Sequence, residues 1–441
     1  MKIRSLIVAV LVLVALASVL YWSDHRKPSA EVAKASANTP PAILKLDEAS
    51  ITRLELRKKN TEPIVLAKSN SGSWQIVQPK PLGADQSTVA SALSTLSSLN
   101  SERVVEDKAS DLKQFGLDHP AVEIDVTEKD NKSHQLLIGD DTPAGGAVYA
   151  MLTGDPRVFT MASYNRTSID KSLNDLRDKR LLTVSPDKVS RLELIEKNQE
   201  IEFWRNQDEW QILKPKPLRA DSVQVGELMG KLTDARMDLS ESDKDAQEAA
   251  SAFAHSTPLA TAKVTSPSGT QELQVRKNKD IYYAKSSVVD VAYKVDSSLG
   301  QALDKKLDDF RNKKLFDFGY NEPTKIEMHI GSQAYFLTKG GADWWSNGKK
   351  MDAGSVQSLI SDLRDLAASK FVDSGSGGPT IEIMVASDDG KRVERVSIAK
   401  TGDGFVARRE NEPTLYYLES SPVDGIEKAA ADIKPSVPAP K

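Results

Sequence analysis

The stretch WQIVQPKPLGAD at residues 74–85 returns almost unchanged as WQILKPKPLRAD at residues 210–221. Nine of the twelve positions are identical at an offset of 136 residues. A shortened third copy, WSNGKKMD at 345–352, begins 135 residues after Trp210 and lacks the two prolines. Similarity at a fixed period is the signature of an array of structural units. The chain is therefore predicted to contain three tandem copies of one module.

Each copy has the pattern of strands followed by a helix. Short runs of alternating apolar and polar residues precede each tryptophan, which indicates half-buried strands paired as a hairpin. The tryptophan opens a third strand, and the prolines end it because proline cannot donate to a strand ladder. An aspartate then stands at the predicted helix N-cap, before apolar residues at spacings of three and four. The markers of this pattern are Trp74, Trp210 and Trp345 for the strand and Asp85, Asp221 and Asp352 for the cap.

The second half of each copy repeats the order of strands and then a helix. Pro120, Pro258 and Pro379 each precede an alternating run, and further strand-like runs follow. A closing helix is predicted at 172–182, at 306–316 and, in shortened form, at 425–435. The predicted fold class is α+β, with three tandem repeats of an antiparallel-sheet-plus-helices module behind one N-terminal transmembrane helix.

The N-terminus predicts one membrane pass. Residues Ser5 to Trp22 carry no charge, and as a helix they would extend about 27 Å, close to the hydrocarbon thickness of a bilayer. The tripeptide at 15–17, Ala-Leu-Ala, matches a signal-peptide cleavage site, so cleavage is the alternative. The apolar run continues to Tyr21 and Trp22, which suit the membrane interface, and this favours an uncleaved anchor.

These assignments divide the chain into segments. Residues 1–4 are predicted to be cytoplasmic, 5–22 to form the transmembrane anchor and 23–42 to form a flexible tether. Repeat 1 is predicted at 43–186, repeat 2 at 187–320 and repeat 3 at 321–433, and a disordered tail is predicted at 434–441. The expected location is the inner (cytoplasmic) membrane, as a single-pass protein with the bulk of the chain extracytoplasmic.

The composition excludes several classes of protein. The 441 residues contain 59 Lys and Arg against 63 Asp and Glu, a net charge of -4, whereas a nucleic-acid-binding domain normally carries a basic excess. Cysteine is absent, so disulfides, thiolate zinc sites, iron–sulfur clusters, a cysteine nucleophile and a lipidated cysteine anchor are excluded. We expect no nucleic-acid partner and no cofactor.

The sequence shows no group of residues typical of catalysis. DSGSGGP at 373–379 is similar to the nucleophile segment of trypsin-like proteases, but it occupies the same linker as GLDHP (116–120) and HSTP (255–258). A serine nucleophile also needs a base and an acid beside it, so a loop is the favoured interpretation. The spacing of the five histidines is not that of metal ligands. They are His25, His119, His134, His255 and His329. The aspartate pairs at 140–141 and 388–389 are interpreted as turns, and no catalytic, cofactor-binding or metal residue is predicted.

One aromatic side chain is a candidate contact for a partner or ligand. Trp345 aligns with the core positions Trp74 and Trp210, so its neighbour Trp344 is expected on the opposite, polar face of the strand. There Trp344 could stack on a sugar or anchor a partner protein. The alternative is that Trp344 packs under a neighbouring repeat.

The whole arrangement resembles a bacterial family of unknown function, the one numbered 4340. The resemblance is carried by the Trp-opened strand, the proline-rich exit, the capping aspartate, the QFGLDHP linker and the LRDKRLL segment. It covers about Ile43 to Pro435 together with the single anchor. Members of that family often stand beside ABC-transporter components of the gliding-motility type, which implies an accessory role in the envelope. The third copy departs from the pattern because it lacks the Pro-x-Pro exit.

The predicted function is therefore binding. We expect a membrane-anchored, extracytoplasmic, non-enzymatic repeat protein that is a component of an envelope complex, with an ABC-type transporter implied by the resemblance. A glycan- or lipid-binding protein of the periplasm is the first alternative, with clefts between modules as candidate sites. An unrecognised hydrolase, built from acidic residues and histidines that converge in space, is the second.

Overall fold

The computed structural model describes residues 41–207, 209–239, 243–375 and 377–436. These residues fall into two compact units, which divide between Lys179 and Arg180. The predicted anchor at 5–22 and nearly all of the tether lie outside the described residues. Among the helices that the structure does describe, none is long and apolar enough to cross a bilayer.

Unit 1 contains one large antiparallel sheet, sheet I, and its helices. The strands of unit 1 are β1 (Ala42–Lys45), β2 (Ile51–Lys58), β3 (Ile64–Lys68), β4 (Trp74–Gln78), β5 (Leu82–Gly83), β6 (Ser98–Asn100), β7 (Arg103–Glu106), β8 (Val122–Glu128), β9 (Ser133–Asp141), β10 (Ala147–Leu152) and β11 (Val158–Ala162). β1 and β6 pair with each other in a separate two-stranded sheet, and the other nine strands form sheet I. Its helices are α1 (Gln86–Ser97), α2 (Ser163–Ile169) and α3 (Leu173–Leu176). Alternate residues of the strands and the apolar stripe of α1 form one buried core.

Unit 2 contains two such sheets. Sheet II is formed by β12 (Arg191–Glu196), β13 (Glu200–Asn206), β14 (Glu209–Lys214), β15 (Leu218–Arg219), β16 (Thr257–Ser266), β17 (Gly269–Asn278), β18 (Ile281–Ser286) and β19 (Tyr293–Val295), with α4 (Ser222–Thr233), α5 (Asp243–His255), α6 (Ser297–Leu303) and α7 (Leu307–Phe310). Sheet III is formed by β20 (Lys325–Ile330), β21 (Gln333–Gly340), β22 (Asp343–Ser346), β23 (Lys349–Lys350), β24 (Lys370–Val372), β25 (Ile381–Ser387), β26 (Arg392–Thr401), β27 (Gly404–Arg409) and β28 (Leu415–Leu418), with α8 (Ala353–Asp365) and α9 (Ser420–Ala431).

The three sheets have matching strand orders over eight strands, and sheets I and III each add a ninth, β7 or β24, at the far edge. The orders are β5-β4-β3-β2-β8-β9-β10-β11-β7 in sheet I, β15-β14-β13-β12-β16-β17-β18-β19 in sheet II and β23-β22-β21-β20-β25-β26-β27-β28-β24 in sheet III. In each sheet, the strand that opens the hairpin (β2, β12 or β20) lies beside the first strand of the second half of the repeat (β8, β16 or β25). The predicted α+β class, with antiparallel sheets and helices, is confirmed.

Each capping aspartate forms hydrogen bonds to two parts of the chain, the N-terminus of the helix that follows it and a residue near the end of the same predicted repeat. The side chain of Asp85 accepts a hydrogen bond from the backbone N–H of Thr88, that of Asp221 from Val223 and Gln224, and that of Asp352 from Ser355. The backbone N–H of the same three aspartates donates to the carbonyls of Leu176, Phe310 and Lys434, at 2.8 Å in each case. The predicted N-caps are confirmed.

The prediction of long closing helices at 172–182 and 306–316 was wrong. Only Leu173–Leu176 and Leu307–Phe310 are helical there, because the next residues are extended: Arg177 pairs with Ala84 and Arg311 pairs with Ala220. The third closing helix, predicted at 425–435, is present as α9, which begins and ends earlier, at Ser420–Ala431. The start of the predicted tail is also structured, since Pro435 pairs with Met351. The helix α5 was not predicted, although its sequence is rich in alanine, a strong helix former.

The expectation for the tryptophan pair is reversed in the structure. Trp344 is 7% exposed and belongs to the core of sheet III, whereas Trp345 is 41% exposed. The reason is the turn at Asn347 and Gly348, both at positive φ, which pairs Ser346 directly with Lys349. This two-residue turn replaces the longer proline-containing exit and moves the core position by one residue.

We predict that Trp344→Ala lowers the free energy of unfolding by about 3–5 kcal/mol, because it leaves a cavity in a packed core. Trp345→Ala should change it by only about 0.5 kcal/mol, the usual range for a surface position. Denaturant titration of the whole chain, followed by circular dichroism, measures both. Equal losses for the two variants would contradict the assigned faces.

Candidate functional site

The outer face of each sheet, the side turned away from the core helices, carries a repeated ion pair. A basic residue and a glutamate two positions later form it on the strand that opens the hairpin. The pairs are Arg53 with Glu55 at 3.1 Å, Arg191 with Glu193 at 3.1 Å and Lys325 with Glu327 at 2.5 Å. The polar residues of the alternating pattern therefore share one surface, as strand geometry requires.

In two of the sheets, part of the outer face is covered by the chain itself. On sheet I, Phe115 contacts Tyr149 edge-on, with ring centroids 4.9 Å apart, in a small second core. On sheet II, Phe253 of α5 lies under the guanidinium group of Arg276, 4.6 Å from its ring centroid. These segments contribute apolar side chains to the outer side of the sheet.

On sheet III the corresponding segment is the Gly/Ser linker after β24. Gly375 lies so close to β27 that a Cβ at this position would be 2.8 Å from a methyl carbon of Val406. The linker thus contacts the sheet through backbone at Gly375 and contributes no large apolar side chain there. The outer face beside the linker contains a groove of about 410 Å³.

Four polar side chains cross the floor of this groove on neighbouring strands. They are paired in register, strand by strand, as His329 with Glu382, Glu382 with Ser397 and Ser397 with Arg408. We call these four residues the polar row. Within the part of the chain that the structure describes, none of the four side chains makes a hydrogen bond or an ion pair. The flanking Arg395 and Glu410, in contrast, form an ion pair at 3.2 Å.

Two exposed aromatic side chains lie between the polar row and the sheet edge, offset along the strands from the register of the row, because Ala334 is the residue opposite His329. Phe336 is 43% exposed and contacts the ring of His329 edge-on, with centroids 5.8 Å apart. Trp345 pairs in register with Thr338, two residues beyond Phe336, so both aromatic rings lie on the outer face. We call Trp345 and Phe336 the aromatic pair.

A second charged cluster lies inside unit 2, where the segment of sheet II meets that of sheet III. Arg219 of β15 pairs with Asp317, and its Nε is 3.0 Å from Glu412. Arg409 of β27 is 3.0 Å from Glu394, 3.0 Å from Glu412 and 3.3 Å from Asp317. We call these five residues the junction cluster.

The contacts of the junction cluster favour the charged forms of two of its members, Asp317 and Arg219. Burial acts to raise the pKa of Asp317, but the guanidinium groups of Arg219 and Arg409 outweigh it and hold that pKa below its usual value. Burial acts to lower the pKa of Arg219, and its carboxylate neighbours, led by Asp317, raise it overall. Because both arginines are paired with carboxylates, the cluster is suited to fix the two segments together.

The junction cluster borders a cleft of about 610 Å³ within unit 2. Arg392 lines it, with carboxylates of Glu394, Asp317 and Glu209 at 3.5, 3.8 and 4.0 Å from its guanidinium nitrogens. Sequence reasoning did not identify the cluster, although one signal was present. Arg219 stands in PLRAD where the first copy has the glycine of PLGAD, Gly83.

Comparison with known protein families identifies the family to which the repeated stretches belong. The model of one family, described as Domain of unknown function (DUF4340), matches residues 74–211 and again residues 210–382. The chain belongs to this family. Both matches begin at a marker tryptophan, Trp74 or Trp210, so the DUF4340 unit is in phase with the repeated stretch. No curated protein and no solved structure matches the chain.

The structure places the remaining predicted residues of this DUF4340 member apart from one another. His119 is exposed, His134 contacts Glu128 at 3.2 Å, and His255 contacts the carbonyl of Ser251 at 2.8 Å. His25 and Ser376 of the DSGSGGP segment lie outside the described residues. Within the described ranges, no group of three or more His, Asp or Glu residues is arranged to hold a metal ion.

The aspartate pairs and the three linker prolines lie at the ends of strands. Asp388 and Asp389 form a helical turn with positive φ, as interpreted from the sequence, whereas Asp140 and Asp141 end β9. Pro120 and Pro379 each stand two residues before a strand, β8 or β25, and Pro258 is the second residue of β16. These residues shape the chain between strands.

We predict that Asp317→Asn lowers the free energy of unfolding at pH 7 by about 2–3 kcal/mol, because it leaves two arginines without a full counter-charge. A carboxylate whose pKa is lowered by folding contributes stability above its unfolded pKa of about 4, and this contribution is lost as the pH falls through the folded pKa. The difference between the variant and the natural protein should therefore shrink below about pH 4.

Denaturant titrations from pH 7 to pH 2.5 measure this difference. Asp389→Asn, at an exposed turn, is the matched control and should leave stability unchanged at every pH. A loss for Asp317→Asn that stays constant, or increases, in acid would contradict the role assigned to the carboxylate.

Proposed function

We propose that this protein is a membrane-anchored, extracytoplasmic chain of three tandem α+β repeats that acts by binding. The observation that carries the proposal is the contrast between scaffold and surface. The three sheets share the order of eight strands and the capping aspartate. Their outer faces differ, with a small apolar core on sheet I, a helix on sheet II and an open polar groove on sheet III. A repeated scaffold with diversified surfaces is suited to recognition.

The proposed partner is a protein complex of the cell envelope. The apolar segment at 5–22 supports a location at the inner membrane, with the repeats on the extracytoplasmic side. An ABC-type transporter is favoured by the family resemblance, which implies an accessory role beside such transporters. Near-balanced charge, 59 basic against 63 acidic residues, supports a protein or small-molecule partner over a nucleic acid.

The junction cluster supports a rigid binding surface within unit 2. Its carboxylates and guanidinium groups join β15 of sheet II to β27 of sheet III through ion pairs of 3.0–3.3 Å and through the Arg219–Asp317 pair. A surface that is fixed before binding loses less conformational entropy when the partner docks. This fits an accessory protein that holds a partner without remodelling it.

We predict that the full-length protein, cross-linked at native expression level and purified from membranes, recovers subunits of an inner-membrane complex. As a control, the residues 5–22 are replaced by a cleavable export signal, which should release the protein to the soluble extracytoplasmic fraction. Mass spectrometry identifies the captured subunits, and protease accessibility in spheroplasts reports the side on which the repeats lie.

Two results would overturn the proposal. One is the absence of any envelope or transporter subunit among the cross-linked proteins. The other is protection of the repeats from protease in intact spheroplasts, which would place them on the cytoplasmic side.

A further inference from the structure

The polar row of sheet III has no counterpart with the same pairing on sheet I. At the equivalent register on sheet I, Arg57 stands directly opposite Glu123 and forms an ion pair with it at 3.1 Å. Arg57 also contacts Asp125 at 2.8 Å. On sheet III, His329 stands opposite Glu382 without an ion pair between them among the described contacts. The side chains of His329 and Glu382 on sheet III are therefore available to bind a ligand, whereas the equivalent Arg57 and Glu123 on sheet I bind each other.

The aromatic pair and the polar row together form one strip on the outer face, which runs diagonally at its aromatic end because Phe336 is two residues and Trp345 four residues away from the register of His329. The strip crosses β22, β21, β20, β25, β26 and β27, which are successive neighbours in sheet III. Five steps between strands at about 4.8 Å each span about 24 Å across the sheet, and the four-residue offset adds about 13 Å along the strands. Trp345 stands at one end and Arg408 at the other, with Glu382 and Ser397 between them.

We propose that this strip binds an oligosaccharide that carries an acidic group. The exposed faces of Trp345 and Phe336 provide stacking surfaces for sugar rings, whose C–H groups are attracted to the negative face of an aromatic ring. Glu382 and Ser397 provide hydrogen-bond partners for ring hydroxyls. Arg408 provides a planar, permanently charged donor for a carboxylate or phosphate substituent.

The lining residues favour a carbohydrate over other ligands. Charged residues are depleted from the core of protein interfaces, but six of the groove residues are charged, namely Glu327, Glu382, Arg395, Arg408, Arg409 and Glu410. Three carboxylates along the groove oppose a polyphosphate chain. A ligand rich in hydroxyls with one or a few acidic groups satisfies both the carboxylates and the arginines.

The inference uses only the extracytoplasmic location from the proposed function and does not require a protein partner. A failure to bind a sugar leaves the cross-linking result unaffected. A failure to recover a complex leaves sugar binding unaffected. The two proposals are therefore tested separately.

The test compares two tetrasaccharide probes by isothermal titration calorimetry with the full-length protein in detergent. One probe is neutral, a tetramer of N-acetylglucosamine, and the other alternates N-acetylglucosamine with N-acetylmuramic acid, which bears a carboxylate. We expect the acidic probe to bind at least tenfold more tightly than the neutral one. Arg408→Ala should remove this preference while leaving the affinity for the neutral probe unchanged.

Trp345→Ala should lower the affinity for both probes by at least tenfold. The matched control is Trp204→Ala, because Trp204 is 39% exposed on the outer face of sheet II, where it pairs in register with Gln211 and Arg191. Trp204→Ala should leave both affinities unchanged. An unaltered denaturation midpoint for each variant shows that the fold is retained.

Three results would overturn the proposal. The first is the absence of binding by either probe at millimolar concentration. The second is an equal loss of affinity for Trp345→Ala and Trp204→Ala, which would indicate non-specific stacking. The third is loss of a captured protein partner on Trp345→Ala without any sugar affinity in the natural protein, which would identify the strip as a protein-docking surface.

Discussion

One backbone hydrogen bond closes each segment of this chain, and much of the architecture depends on it. The N–H of Asp85, Asp221 or Asp352 donates to a carbonyl near the end of its own segment, while the carboxylate of the same residue caps the next helix. A hydrogen bond and a cap each contribute about 1 kcal/mol. Because one residue makes both interactions, they fix the position at which the helix begins and the position at which the end of the segment pairs with it. In the first two copies, the prolines and the alanine before the aspartate bring the chain to this point in extended form.

The parts of the fold that depend on local chemistry could be predicted from the sequence, and those that depend on distant partners could not. Strand alternation and the aspartate caps are local. The LNDLRDKRLL segment has helical spacing, yet Arg177 is extended because its backbone partner is Ala84, far away in sequence. The Trp344–Trp345 pair allowed two alignments, and the Asn347-Gly348 turn, together with the pairing of Trp344 with Lys339 on β21, decides between them. Recognising that turn signal would have placed the correct tryptophan in the core.

The same division applies to the candidate site. Alternation showed which residues share the outer face of a strand, but pairing between strands decides which charges are neutralised. Arg57 and His329 occupy equivalent places, and only the contacts show that Arg57 is paired with Glu123. Arg219 in the junction cluster gave one visible sign, since it replaces the glycine of the first copy. Its partners Asp317 and Glu412 come from the third segment, and no local pattern links them to it.

The junction cluster and the polar row show two different uses of charge in a chain that is nearly neutral overall. Glu394 and Arg409 are shielded from water, so an unpaired charge there would be costly, and each is matched by an opposite charge. The residues of the polar row are largely in contact with solvent, where a charge is hydrated and a surface ion pair contributes about 0–1 kcal/mol. Folding therefore constrains the junction cluster strongly and Glu382 and Arg408 only weakly. Their identity and alignment across adjacent strands are better explained by a ligand than by stability.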